Sequence, residues 1–562
     1  MIRREATYDV VVVGSGAGGG MSVYALTHAG YRVLMLEVGR SYDPATETPM
    51  FNMPADAPLR AAPTPDKQLG YFDPGVNYLL PDEPYTVAEG SNFLWFRARI
   101  LGGRTNHWGR KVLRYGPYDF KAFSRDGHGV DWPVTYDDIA PWYEKVERLI
   151  GVTGAVHGLE NMPDSPPDAY LPPPPPTAGD YFIKRGLESM GIPVAAIRAA
   201  VLTRPHNGRP ACMYATPCAR GCSIAANFQT PTVLIPPAYK TGNLTVRTHA
   251  AVYQVDIDKS GRAKGVSYVD RRTGEHHSVQ AKSVILAAST CETARILLNS
   301  RSSLFPDGLA NENGQVGRNL MDNTGSAITA HFPALEKLPV RNDDGISVGH
   351  LFAPWWGHSK QVRKELDFPR GYQIVFVGGR TMPAVDQADY YQASHGPTLR
   401  EEIRRKYGSF FMLGAEGEMI PNPQSFCEID SNVKDKWGIP VLRFHFKFSD
   451  YETRLAAHAR RTMAELVSRL GGEILPGNGR VAEDRDTYGG ESNHEVGTAR
   501  MGSSPKNSVV NQFGQSWSVK NLFITDGSVF ASCAYKNPTL TIMALSWRST
   551  TQLIDEARRG NL

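Results

Sequence analysis

An α/β fold built on a parallel sheet is the architecture this sequence predicts. Three observations carry it: a β-α-β unit at the N-terminus, a run of alternating strands starting at Leu244, and a buried strand near the C-terminus. In the first unit, Tyr8–Val13 is a β-branched run ending at Gly14, and the segment after Gly20 reads as helix up to Gly30. Arg32–Leu36 is a second apolar strand that closes at Glu37. The turn GSGAGG sets Gly14, Gly16 and Gly19 in the spacing G-x-G-x-x-G. The first glycine permits a tight turn, the second lets backbone approach a pyrophosphate, and the third lets helix pack on strand. Phosphates then meet the positive end of the helix dipole. Glu37 lies eighteen residues after Gly19, where a carboxylate accepts hydrogen bonds from ribose hydroxyls. Strand, glycines, helix, second strand and acidic end agree, so the unit binds a dinucleotide; the fingerprint does not separate FAD from NAD.

The second observation begins with LTVRTH, VYQVDID and GVSYVD, three alternating strands parted by turn signals such as Lys259–Ser260–Gly261. They lead into SVILAAST (Ser283–Thr290), a buried strand, and a helix, ETARILLNS. A β-meander that feeds back into a parallel sheet is typical of a large FAD domain. The third is LFITD (Leu522–Asp526), followed after Asn537–Pro538 by a C-terminal helix. Between these elements lie irregular stretches. Residues 40–90, rich in proline, aspartate and glycine, read as long loop, and Pro172–Pro176 favours an extended polyproline connection. The 331–489 excursion carries the strand-like runs YQIVFVGG and VLRFHFKF and one helix. In that helix Leu455, Ala459, Met463, Leu466 and Leu470 form a core stripe, and Gly471 stops it.

The 562 residues suffice for two or more domains. Lysine plus arginine (61) against aspartate plus glutamate (57) gives no electrostatic reason to expect nucleic acid or an anionic membrane as a partner. No apolar run approaches the roughly 18–20 residues of a membrane span. The N-terminus passes from a short charged lead straight into a strand, with no secretory signal visible, so the expected location is cytoplasmic.

Four further segments resemble the glucose–methanol–choline (GMC) flavin oxidoreductases: LGGRTNHWG (Leu101–Gly109), VGRNLMDN (Val316–Asn323), NHEVGTARMG (Asn493–Gly502), and the run from Asp526–Gly527 through NPTLTIMALS (Asn537–Ser546). They occur in family order along the whole chain, with WPVTYDDIAPWYEKVE (Trp132–Glu147) also in place. The likeness is greatest to bacterial sugar and glycoside dehydrogenase catalytic subunits. The resemblance implies a glutathione-reductase-like FAD-binding domain with β-meander (residues 1–110, 225–330 and 490–562). Beside it stands an antiparallel-sheet substrate domain (111–224 and 331–489). It further implies His494 as the catalytic base and Asn537 as its partner on the substrate oxygen. Histidine suits the task because its ordinary pKa lies near operating pH, and asparagine cannot take the proton. Gly102, Gly103 and Asn106 would line the flavin, with His107 packed near the isoalloxazine; relatives differ on a covalent bond at that histidine, and non-covalent FAD is preferred. Val252, Asp526, Gly527, Pro538 and Thr539 complete the implied flavin-binding set. The reaction implied is oxidation of a ring hydroxyl of a pyranose sugar or glycoside, at C3 by likeness to glycoside 3-dehydrogenases. The alternatives are an oxidase using O₂ and a non-catalytic flavoprotein subunit.

Of the six cysteines, Cys212, Cys218 and Cys222 fall within eleven positions. Three readings compete: an iron–sulfur centre with three thiolate ligands, zinc with His206 as a further ligand, and unligated or disulfide-bonded thiols. The spacing resembles the 3Fe–4S segment of bacterial FAD glucose dehydrogenase subunits, although Met213 stands where that segment has a second cysteine. Such a centre would pass electrons to a cytochrome-type acceptor. Relatives also pair with a small subunit carrying the export signal, which would make this chain periplasmic by co-export.

Overall fold

The computed structural model describes all residues except 1–2, 5–6, 49–75, 215–217, 337, 339–348, 360–362, 379–394 and 476–487. The middle of the 40–90 loop and parts of the 331–489 excursion therefore lie outside the described residues.

Tyr8–Val13, all β-branched after Asp9, is central in a mixed sheet ordered Leu244–Arg247, Val33–Leu36, Tyr8–Val13, His276–Leu286, Ala263–Asp270, Ala250–Ile257. The first four strands pair parallel and the last two continue antiparallel, while Leu522–Ile524 adds parallel to His276–Leu286. The α/β class, the parallel sheet and the meander are as expected. One assignment is corrected: LTVR is not the first strand of the meander but the far edge of the parallel sheet, beside Val33–Leu36. The meander is instead 250–257, 263–270 and the first half of the long strand His276–Leu286, whose second half pairs with Tyr8–Val13.

A second sheet is wholly antiparallel, ordered Glu473–Ile474, Thr324–His331, Phe410–Gly417, Tyr372–Gly378, Leu351–Ala353, Ala195–Ala196. Alternation along its strands makes two faces. Ile328, Ala330, Leu413, Ala415, Ile374 and Phe376 point one way into a core completed by the helices Ala178–Ser189 and Asp450–Arg469. Leu455, Ala459, Met463 and Leu466 of the expected stripe are buried there, the leucines and the methionine contributing about 1.5–3 kcal/mol each. Ser449 starts that helix with a capping box to Glu452, which satisfies two otherwise orphaned backbone donors. The opposite face, with Gln373, Val375 and Val377 in register with Glu416, Gly414 and Met412, roofs the cavity described next.

Candidate active site

A cavity of about 620 Å³ runs from Glu37, past the turn Gly14–Gly18, to His494 and Asn537 under the antiparallel roof. Each fingerprint glycine occupies the position its spacing requires. Gly14 has φ +99°, and a Cβ there would collide with the Ala287 carbonyl. A Cβ at Gly16 would meet nothing within 4 Å, so this backbone faces open cavity. Gly19 packs against the Gly14 carbonyl. Glu37 accepts from Gly39 N (2.7 Å), Ser15 N (3.3 Å) and the Ser15 hydroxyl. Burial pushes its carboxyl up, while Ser15, Gly39 and Arg99 pull it down. Ser15 Oγ also accepts from Gly102 N at 2.8 Å, which ties the Glu37 end to the glycine-pair loop. The sequence reading missed Ser15 because serine at a variable position of the fingerprint carries no signal of its own.

Gly103, His107, Val252, Asp526, Gly527, Pro538 and Thr539 line the cavity. Gly102 and Asn106 do not: they stand behind its wall and shape the loop, Asn106 Nδ2 donating to the Leu101 and Gly103 carbonyls at 2.9 and 3.1 Å. Asp526 braces the far side, accepting from Ser289 N, Thr293 and Ser528. Burial and the nearby Arg110 lower His107 to about 4, so its ring is neutral. Its Nδ1 lies 3.4 Å from the Ala219 carbonyl, and its buried Nε2 has no hydrogen-bond partner among the described residues. An orphaned ring nitrogen in the wall and a glycine backbone bared to open space fit a bound flavin dinucleotide.

Backbone bonds hold the His494 end of the cavity. Asp322 accepts from Gly490 N (2.8 Å), Ser492 N (3.2 Å) and His494 N (2.9 Å), gathering a segment bent at Gly490 (φ +81°) and Asn493 (φ +57°). Arg104 pairs with Glu495 at 2.6 Å and donates to Asn493 O at 3.2 Å. The neighbouring Asn323 fixes the histidine ring. Its Nδ2 donates to the carbonyls of Gly417 (2.7 Å) and Ala534 (2.9 Å), so its Oδ1 must face His494 Nδ1 at 2.8 Å. Nδ1 therefore carries the proton, and Nε2 presents its lone pair to the Asn537 amide at 3.0 Å. Gln373 Nε2 donates to Tyr535 O (2.6 Å) and Glu416 Oε2 (2.5 Å) and lies 3.5 Å from Asn537 Oδ1. Burial lowers the His494 pKa, with Lys111 and Arg104 adding to it and Glu416 and Glu495 opposing. The resting ring is thus a neutral acceptor. Asp322 and Asn323 lie inside a motif already quoted, but their partners are distant in sequence, and their roles were not legible.

The cysteine segment abuts this cavity through Ala219, which lines it. Cys218 and Cys222 are buried, and Cys212 packs against the groups that contain each of them. Burial pushes the Cys212 thiol up to about 11, with Cys218 and Cys222 adding to the shift. Among the described residues no three His, Cys, Asp or Glu side chains are arranged to hold a metal ion, so neither the iron–sulfur centre expected at Cys212, Cys218 and Cys222 nor zinc with His206 finds support there; His206 bonds the Arg148 carbonyl instead. Arg110 is fully buried, donates to the carbonyls of Thr105, Asn106, Trp108 and Cys218, and has no carboxylate partner among the described residues. Its Nε and the Nη1 of buried Arg209 find no hydrogen-bond partner among the described residues.

Two sheets, a glycine-turn cradle and, at its far end, a histidine whose Nε2 accepts from Asn537 define the class: a dinucleotide-dependent oxidoreductase. Residues 8–324 and 421–546 match the N- and C-terminal regions of the GMC oxidoreductases, and the chain belongs to that family, FAD-dependent enzymes that oxidise CH–OH groups of sugars and alcohols. It is 31% identical over 554 residues to 2-methyl-1,2-propanediol dehydrogenase of Mycolicibacterium austroafricanum, covering 96% of this chain and 94% of that one. It is 28% identical over 579 residues to the fructose dehydrogenase large subunit of Gluconobacter japonicus, covering 100% of both. Among solved structures, pyridoxine 4-oxidase from Mesorbium loti shares the fold with a TM-score of 0.63 at 16% identity, over 97% of this chain and 99% of that one. No helix among the described residues is long and apolar enough to cross a membrane.

Proposed function

We propose that this chain is a dehydrogenase that oxidises a ring hydroxyl of a pyranose sugar or glycoside to the ketone, C3 being the first position to examine. The observation that carries the reading is the Asn323-locked ring of His494, whose unprotonated Nε2 faces Asn537 inside the cofactor cavity. A hydroxyl entering between them accepts from Asn537 Nδ2 and gives its proton to His494 Nε2, while Nδ1 keeps its bond to Asn323. FAD, held along Gly14–Gly18 and Glu37, supplies the acceptor for the hydride that leaves the carbinol carbon. Loss of one proton and one hydride turns CH–OH into C=O. The test is an anaerobic screen of glucose, glycosides, polyols and simple alcohols, read as loss of the oxidised-flavin absorbance. Bleaching by sugars or glycosides is expected; bleaching by none of these compounds overturns the reading, and oxygen uptake matching sugar consumption reassigns the chain as an oxidase.

The dehydrogenase part of the proposal includes a 3Fe–4S group at Cys212, Cys218 and Cys222, which would give electrons an exit to a cytochrome-type partner. What supports it is charge: two buried guanidiniums, Arg110 and Arg209, lack carboxylates among the described residues, and an anionic cluster beside them would offset an otherwise costly burial. Anaerobically purified protein is expected to contain about three iron atoms per chain and to show an electron paramagnetic signal lost in Cys222→Ser. Iron-free protein with full flavin and full dye-reducing turnover removes the cluster. Co-export with a small subunit remains part of this proposal and is checked by co-purification from the periplasmic fraction.

A further inference from the structure

The roof above the base is apolar except at one end. Val375, Val377 and Met412 present hydrocarbon to the cavity, whereas the cross-strand pair Gln373–Glu416 is polar and stands beside Asn537. Glu416 Oε2 is occupied by Gln373 and lies 3.4 Å from Asn537 Nδ2, while Oε1 makes no hydrogen bond among the described residues. Facing it is Lys111, only 3% exposed, which lines the same cavity. Its Nζ is 3.6 Å from Glu416 Oε2, beyond hydrogen-bond length, and no group among the described residues accepts a hydrogen bond from it; the Phe352 ring lies on another side, 5.2 Å away to its centroid. A buried ammonium whose one close carboxylate stands at 3.6 Å is costly unless something else fills its remaining donors. Burial pulls it down to about 8 against the attraction of Glu416, so at neutral pH it stays a cation and a donor.

The cavity therefore offers two donor–acceptor pairs side by side: Asn537 Nδ2 with His494 Nε2, and Lys111 Nζ with Glu416 Oε1. A hydroxyl both donates and accepts, so each pair fits one hydroxyl. We propose that Lys111 and Glu416 bind the hydroxyl adjacent to the one oxidised, making vicinal diols, whether sugars, glycosides or simple 1,2-diols, the substrate class of this site. The inference rests on the dehydrogenase reading above and adds the requirement for a second hydroxyl. Val375 and Val377 would meet the C–H face of the ring.

The test compares trans-cyclohexane-1,2-diol with cyclohexanol on flavin-loaded wild type, Lys111→Met and Glu416→Gln, with flavin content checked by absorbance. In wild type the diol is expected to be the better substrate. Each substitution should lower kcat/KM for the diol about 10- to 100-fold more than it lowers kcat/KM for cyclohexanol at the same pH, the scale of a lost charge-assisted hydrogen bond. Lys111→Arg, which keeps the donors, should restore part of the diol preference. Equal losses on both substrates, or a wild type indifferent to the second hydroxyl, overturn the proposal. Should neither compound reduce the flavin, diol binding is read from perturbation of the flavin spectrum. Affinity that depends on Lys111 then upholds the pair while the oxidation reading falls, and affinity independent of Lys111 overturns the pair as well.

Discussion

His494→Ala is expected to lose about 10²–10⁴-fold in turnover, the contribution of a positioned general base, while keeping its yellow bound flavin. The ring touches the cavity end, and the cradle at Gly14–Gly18 is built from other segments, so cofactor content and base function separate. The pH dependence gives a sharper readout. Burial, Lys111 and Arg104 lower the His494 pKa below its ordinary 6.5, outweighing Glu416 and Glu495. A base must be unprotonated, so kcat/KM in the wild type should rise with pH through a value below 6.5 and level off above it. In His494→Ala that acid limb should vanish. Glu416→Gln removes a charge that favours the imidazolium, so its acid limb should move lower still. An unchanged acid limb in His494→Ala assigns the proton transfer to another group.

The second large effect is expected at Asp322. Three backbone N–H groups, from Gly490, Ser492 and His494, end on this one carboxylate. Asp322→Ala leaves all three without an acceptor in a buried setting, at about 1–3 kcal/mol each before relaxation. We expect a clear fall in Tm and, in the protein that still folds, a loss of about 10²-fold in kcat, because a base displaced by an ångström acts poorly. Asp322→Asn keeps an acceptor oxygen and should lose less on both counts. Wild-type kcat and Tm in Asp322→Ala would mean that the segment is held by its other contacts, chiefly Arg104 with Asn493 and Glu495.

How far the sequence could be read depended on the range of the interactions. The β-α-β unit was legible because its strand period, glycine spacing and acidic end are all local, and Gly14, Gly16 and Gly19 behave as that pattern demands. Leu244–Arg247 was assigned to the wrong side of its sheet because alternation reveals a strand and not its neighbour; a half-exposed edge strand has the same pattern as a meander strand. The roof shows the same limit. YQIVFVGG was readable as a strand, but the pairing that sets Gln373 opposite Glu416 joins positions 43 residues apart. His494 and Asn537 were found through motif likeness. Asn323 escaped because its orientation is set by carbonyls 94 and 211 residues away, and Lys111 because nothing in its local sequence marks a buried ammonium.

The long strand His276–Leu286 belongs to both halves of its sheet: its outer residues pair with the meander and its inner residues with Tyr8–Val13. Its continuation supplies the Ala287 carbonyl that backs Gly14. An attempt to shrink the protein by excising the hairpin 250–275 would therefore strip one side of the beam on which the nucleotide turn rests. Trimming for a minimal catalyst is better begun at the Pro172–Pro176 connection, which carries no ladder.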